Sequence, residues 1–225
     1  VFVFFENGRS GEDLRIADLV TSGHPVIKIH FHDAYDLGSQ MFLWEMATAV
    51  ASHVIGVHPF DQPDVETTKI NTTRMIDTYR RTRTFPEEKP SFNNDDFAVY
   101  GKLSASSVTD SLIGLLQQAE PNAYVGIQVF LSPSNSLNDA LQDLRTAITR
   151  RFKLAVTIGY GPRYLHSTGQ LHKGDAGRNL FIQLTGNDAT DLNIPDSPSA
   201  PDSCLSFGAL KAAQAAADHQ ALIEL

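Results

Sequence analysis

Cysteine is nearly absent: the single Cys204 among 225 residues excludes an internal disulfide, and a reducing cytoplasmic setting is the expectation. No apolar run approaches the roughly 18 residues that a membrane-spanning helix needs, so no membrane partner is expected. The leading Val-Phe-Val-Phe-Phe-Glu run is too short, and too poor in cations, for a signal peptide. There is no initiator Met, and the run reads as a strand entered mid-chain. Cations are scarce too. With 18 Lys and Arg against 26 Asp and Glu, the net charge of −8 opposes broad attraction to phosphate backbones, which argues against a nucleic-acid partner. The dinucleotide and Walker glycine patterns and the Gly-x-Ser-x-Gly elbow are missing, so nucleotide-binding and serine-hydrolase readings have no footing. What remains is an ordinary folded chain. It is 42% hydrophobic, 20% charged and 9% aromatic, long enough for one or two domains with a buried core.

The order of elements gives the fold class. Val1 to Phe5 reads as a strand, 12–22 as a helix stopped at Gly23-His24-Pro25, Val26 to Phe31 as a second strand, and 40–55 as a long apolar helix. A charged amphipathic helix is expected over 65–83. After it come a short run at 97–103, a helix over 108–118, a strand over 124–131, a helix over 137–152, strands over 154–160 and 180–185, and a closing Ala-rich helix over 207–222. Strands alternating with crossover helices predict an α/β protein with a parallel sheet. The Pro-, Asn- and Asp-rich stretch 86–96 is expected to link a first α/β domain (1–85) to a second, smaller α/β layer (97–225). Phe42, Leu43, Trp44 and Met46, on the apolar helix, are expected in the core.

Three clusters could carry chemistry. The first runs from His58 through Asp61, Gln62, Asp64 and Glu66 to Lys69, donors and acceptors suited to a polyhydroxylated ligand; helix capping by Asp61 or Asp64 is the plainer explanation. The second is Gly159 to Gly174. It follows a predicted parallel strand, where α/β folds place their ligands, and combines Arg163, His166, Ser167, Thr168, His172 and Lys173 with several glycines. Backbone N–H groups and paired cations there suit a phosphate, although a Gly-rich turn would use the same residues. The third is His30-Phe31-His32-Asp33, where alternation puts both imidazoles on one strand face. No further ligand stands at zinc spacing, so no metal and no cofactor is expected.

Phe42-Leu43-Trp44-Glu45-Met46-Ala47-Thr48-Ala49-Val50-Ala51, Pro59-Phe60-Asp61-Gln62-Pro63-Asp64-Val65-Glu66, the stretch Gly161 to Gly174 and Ser206 to Gln214 together resemble the phosphoglucose isomerase portion of bifunctional transaldolase/phosphoglucose isomerases. The resemblance implies the C-terminal part of a longer enzyme with a sugar-isomerase (SIS) type three-layer αβα fold. It also implies interconversion of glucose 6-phosphate and fructose 6-phosphate. By that likeness Gln62 and Lys69 take the places of a substrate-facing Gln and of a Lys associated with ring opening. Pro63 and Asp64 replace the usual Trp-Gly pair, and Thr67 and Thr68 replace Leu-Gly. The proton-transferring Glu and the phosphate-gripping Ser and Thr lie upstream in the family and have no counterpart here. The family's catalytic His is not carried over to His166 or His172, because its motif precedes the Phe-Asp-Gln stretch.

Alone, the chain is therefore expected to be inactive. Its implied partners are a sugar phosphate and the upstream isomerase and transaldolase region of the same polypeptide, with a homo-oligomer left open. The competing reading is a non-catalytic sugar-phosphate-binding or regulatory module, and a metal hydrolase on His30, His32 and Asp33 is a weaker third.

Overall fold

The computed structural model describes residues 1–6, 14–86, 88–101, 106–199 and 202–224. The first two positions of the helix expected over 12–22, and 102–103 of the run expected over 97–103, lie outside them. The chain forms two compact units, Val1–Asp61 and Gln62–Leu225.

In the first unit, β1 (Phe2–Glu6) pairs in parallel with β2 (Val26–His30), joined through α1 (Leu14–Thr21), and α2 (Asp36–Ile55) follows. The unit is thus a βαβα module, as the alternation predicts. Asp36 takes both the backbone N–H of His32 and its ring Nδ1, at 2.6 and 3.0 Å, while Asp33 accepts the N–H of Tyr35 at 2.7 Å. Local hydrogen bonding at the entrance of α2 therefore accounts for His32 and Asp33, and His30 Nδ1 sits 3.2 Å from Glu6. Among the described residues, no group of three or more His, Cys, Asp or Glu could hold a metal ion. Phe42, Leu43, Trp44 and Met46 correct an expectation: all are exposed, Phe42 at 66%. α2 is apolar around its whole circumference, and no other described element packs extensively along it.

The second unit opens with α3 (Pro63–Thr82). A small antiparallel pair follows, β3 (Phe92–Asn93) with β4 (Ala98–Val99), then α4 (Val108–Leu116), β5 (Tyr124–Val129), α5 (Asn135–Phe152) and β6 (Ala155–Tyr160). A 3-10 turn (Arg163–His166), α6 (Gly169–Lys173) and β7 (Leu180–Leu184) come next. The antiparallel pair β8 (Asn193–Ile194) and β9 (Leu205–Ser206) precedes α7 (Phe207–Glu224). Serine caps start two helices: Ser107 accepts the N–H of Asp110, and Ser134 that of Leu137. No helix among the described residues is long and apolar enough to cross a membrane.

The parallel sheet has the order β6-β5-β7. The chain runs from β5 to β6 and then back past β5 to β7, and connections of the right hand that such crossovers almost always take put their helices on opposite faces, as in a three-layer α/β/α unit. Its two faces differ sharply in chemistry. Val125, Ile127 and Val129 pack with Ile182, Leu116, Leu141 and Ile148 in an aliphatic core beneath α4 and α5. The alternate residues, Tyr124, Gly126 and Gln128 of β5 with Phe181 and Gln183 of β7, form the other face. Glycine is required there. A Cβ on Gly126 would meet the Phe181 ring at 2.7 Å, and one on Gly159 would meet Tyr164 at 2.8 Å.

Candidate functional site

α3 carries the first cluster. It starts at Pro63, whose missing N–H costs nothing at the first helical position, and the preceding Gln62 makes no capping bond through its side chain. Neither Asp61 nor Asp64 caps the helix. The acceptor comes instead from α6: Gln170 Oε1 takes the Asp64 N–H at 3.1 Å, and Gln170 Nε2 donates to the Asp64 carboxylate at 2.5 Å. Lys69 lies about 10 Å along the axis from Gln62. It is 64% exposed, with its ammonium 2.9 Å from Glu66.

The segment read as a Gly-rich loop folds as the 3-10 turn and α6, and a helical turn has an outside and an inside. Arg163, His166 and Ser167 are exposed and Thr168 is half-buried. His172 and Lys173 are buried. His172 packs at a tilt among the rings of Tyr124, Tyr164 and Phe181, with Nδ1 3.5 Å from Gln128 Nε2, and burial pushes its pKa below the ordinary imidazole value. The Lys173 ammonium forms an ion pair with Asp218 of α7 in which neither side chain is exposed. Tyr164 donates its hydroxyl to the other Asp218 oxygen, and burial followed by the Asp218 charge drives the phenol pKa well above its ordinary value. Gln183 continues the network, donating to Gln128 Oε1 at 3.5 Å and to the Ala215 carbonyl at 3.2 Å. With its charge committed to Asp218, Lys173 faces the protein interior, whereas Arg163 is the outward cation of this segment.

Three of the eight candidate residues meet in one pocket of about 240 Å³. Lys69, with Thr68 and Thr72 of α3, forms one wall; His166, Lys173 and Gln214 of α7 form the others. Thr72 donates to the Thr68 carbonyl and Thr73 to that of Lys69, so these hydroxyls offer lone pairs to a ligand while Lys69 offers protons. Gln62, Arg163, Ser167, Thr168 and His172 lie outside that lining.

Gln170, Gln214 and Asp218 escape the motif reading. Gln170 and Gln214 lie in the stretches that carry the family likeness without being singled out there, and Asp218 is an acid beside the Ala209, Ala213, Ala217, Ala221 stripe, all of it buried at helical spacing.

No protein-family model matches the chain, and no solved structure matches it. Curated proteins match part of it. The glucose-6-phosphate isomerase of Enterococcus faecalis is 44% identical over 51 residues, 23% of this chain and 11% of that protein. That of Lactiplantibacillus plantarum has the same identity and coverage. The glucose-6-phosphate isomerase of Heliobacterium modesticaldum is 31% identical over 78 residues, 35% of this chain and 15% of the relative. The match therefore spans about a tenth to a sixth of these relatives' length, and within that span this α/β chain contains a glucose-6-phosphate-isomerase-like region.

Proposed function

We propose that the chain is the C-terminal part of a glucose-6-phosphate isomerase, within a bifunctional transaldolase/phosphoglucose isomerase of sugar-isomerase fold, and that it supplies the ring-opening groups. One observation carries the reading: Lys69, which the motif likeness singles out, shares a pocket with His166 in a chain partly similar to glucose-6-phosphate isomerases.

Aldose-ketose interconversion first opens the hexose ring, then moves a proton between C1 and C2 through an enediolate. Lys69 gives a proton to the ring oxygen as the bond from C1 to that oxygen breaks, and takes up the proton that the C1 hydroxyl loses, so its ammonium is restored and its positive charge suits the developing enediolate. Gln62 bonds sugar hydroxyls at the mouth of the same helix. Arg163, with His166, Ser167 and Thr168 beside it, is the group for the phosphate. The carbon-proton base comes from another part of the polypeptide. The protein acts in the cytoplasm on a free sugar phosphate and needs no cofactor.

The test is a coupled isomerase assay with fructose 6-phosphate. The isolated chain should show no appreciable turnover. In the natural full-length protein, Lys69→Ala should slow the cyclic substrate by about a hundred-fold, the usual cost of a proton-transfer group, and spare a substrate presented in open-chain form. Its stability should change by less than about 0.5 kcal/mol, since an exposed i,i+3 pair contributes little. Equal rates for variant and parent would remove Lys69 from the reaction. A parent that binds the sugar phosphate without turnover would favour a binding module.

A further inference from the structure

We infer that Gln170 is a positioning residue for Lys69 and Gln62, a role that rests on the isomerase reading above. A helix needs acceptors for its first N–H groups. α3 has proline at its first position and no side-chain cap from Gln62, so Asp64 carries the first amide available for capping. The partner arrives from 106 positions away in sequence. The orientation of the Gln170 amide is forced: the Asp64 N–H only donates, so it faces Oε1, and the Asp64 carboxylate accepts, so it faces Nε2. Both bonds are half-buried, which makes them a two-point clamp rather than a surface contact.

Two further features fix the clamp. A Cβ on Gly174 would stand 2.9 Å from Gln170 Nε2 and 3.1 Å from Asp64 Oδ2, so the absence of a side chain at position 174 is what lets the pair close. The clamp is anchored from below by Lys173, three residues after Gln170 on the same short helix, through its buried pair with Asp218. The first turn of α3 is thereby held to the helix that follows His166. Lys69 stands on the same rigid helix, in its second turn, and lines the pocket with His166. Gln170 touches neither pocket nor ligand; it sets where Lys69 stands.

The experiment uses Gln170→Ala, Gln170→Glu and the exchange pair Asp64→Asn with Gln170→Glu. The single Glu variant faces two carboxylates, so its clamp should fail at neutral pH and recover as acid puts a proton between them. The exchange pair restores complementarity, with the Glu accepting the backbone N–H at position 64 and a bond from the new Asn. Amide exchange at 64–66 should quicken at least ten-fold in Gln170→Ala and return to the parent rate in the exchange pair. In the full-length protein Gln170→Ala should lower kcat on the cyclic substrate about ten-fold, leave KM within two-fold and spare the open-chain substrate. It should add no further loss on top of Lys69→Ala, and the exchange pair should recover kcat. Unchanged amide exchange would overturn the clamp. Changed exchange with unchanged kcat, or loss that multiplies that of Lys69→Ala, would overturn the positioning role. A parent without isomerase activity sinks the functional reading and the positioning role together, and the exchange data then report the clamp by itself.

Discussion

Asp218→Asn should be the most damaging single polar substitution in the second unit. The Asp218 carboxylate and the Lys173 ammonium are both fully buried, and Tyr164 donates to the same carboxylate. Breaking a buried pair by removing one partner costs about 3–5 kcal/mol, because the other charge stays buried without compensation. The weakened tyrosine bond adds to this, though not in full, since both interactions share one group. A loss of roughly 4 kcal/mol corresponds to a fall in Tm of about 10 °C for a domain of this size. Replacing the whole constellation by apolar groups, Lys173→Met with Asp218→Leu and Tyr164→Phe, leaves no orphaned charge and should return stability to within about 1–2 kcal/mol of the parent. The measurement is native-state amide exchange at β5, whose central strand opens only with the core. A change below about 1 kcal/mol for Asp218→Asn, or a triple variant no better than the single one, would show that the pair is solvated and refute the reasoning.

Burial lowers the His172 pKa, so as pH falls through about 6.5 the unfolded chain takes up a proton before the folded one does. Stability should therefore drop below pH 6.5, and thermal melts from pH 8 to 5 should show a shallower slope for His172→Gln; equal slopes would contradict the shift. Gly161→Ala should cost about 1–3 kcal/mol, because its Cβ would lie 2.5 Å from ring atoms of the buried Phe130. Gly38→Ala in α2 meets no atom within 4 Å and should instead stabilise by up to about 1 kcal/mol; urea melts of both variants check the opposite signs. Phosphate titration should shift the amide resonances at Arg163, His166 and Ser167, and Arg163→Gln should abolish the shift; a parent spectrum that stays still would remove this segment as an anion site.

Much of the fold is legible in sequence because its signals are periodic. Val125, Ile127 and Val129 alternate as half of a strand pattern, and the helix expected over 137–152 is present, starting two residues earlier after its Ser134 cap. The start of α3 is harder to read. Asp61, Asp64 and Glu66 look like local capping residues, yet the cap is Gln170, and no local pattern encodes a bond across 106 positions. Lys69 is recoverable from a motif's spacing, while Gln214 ends a stretch that carries the family likeness but sits in an Ala-rich helix whose pattern singles out no site residue. The first unit shows the opposite limit. A stretch with Phe42, Trp44 and Met46 reads as core from hydrophobicity, but cover is a property of neighbouring layers.

The density of polar groups between Arg163 and Lys173 is a sound signal of importance with two physical causes mixed in it. Outward residues meet solvent and whatever ligand it brings, and inward residues hold neighbouring elements together. Sequence does not separate them, because the inward side of this turn is itself polar: it covers Gln128 and Gln183 rather than the aliphatic face of the sheet. Hydrophobic periodicity is silent where the buried partner is an amide or a carboxylate. The inward groups nevertheless bear on the pocket. Tyr164 comes from the turn, Lys173 from α6 and Asp218 from α7, and those same elements supply His166, Lys173 and Gln214 to the pocket walls. A buried charge pair is weak evidence for added stability, but it is satisfied by only one arrangement of the elements that bear it. Its contribution here is to fix three walls of the pocket relative to one another, while the fourth, α3, packs along α7 and is tied to α6 by Gln170.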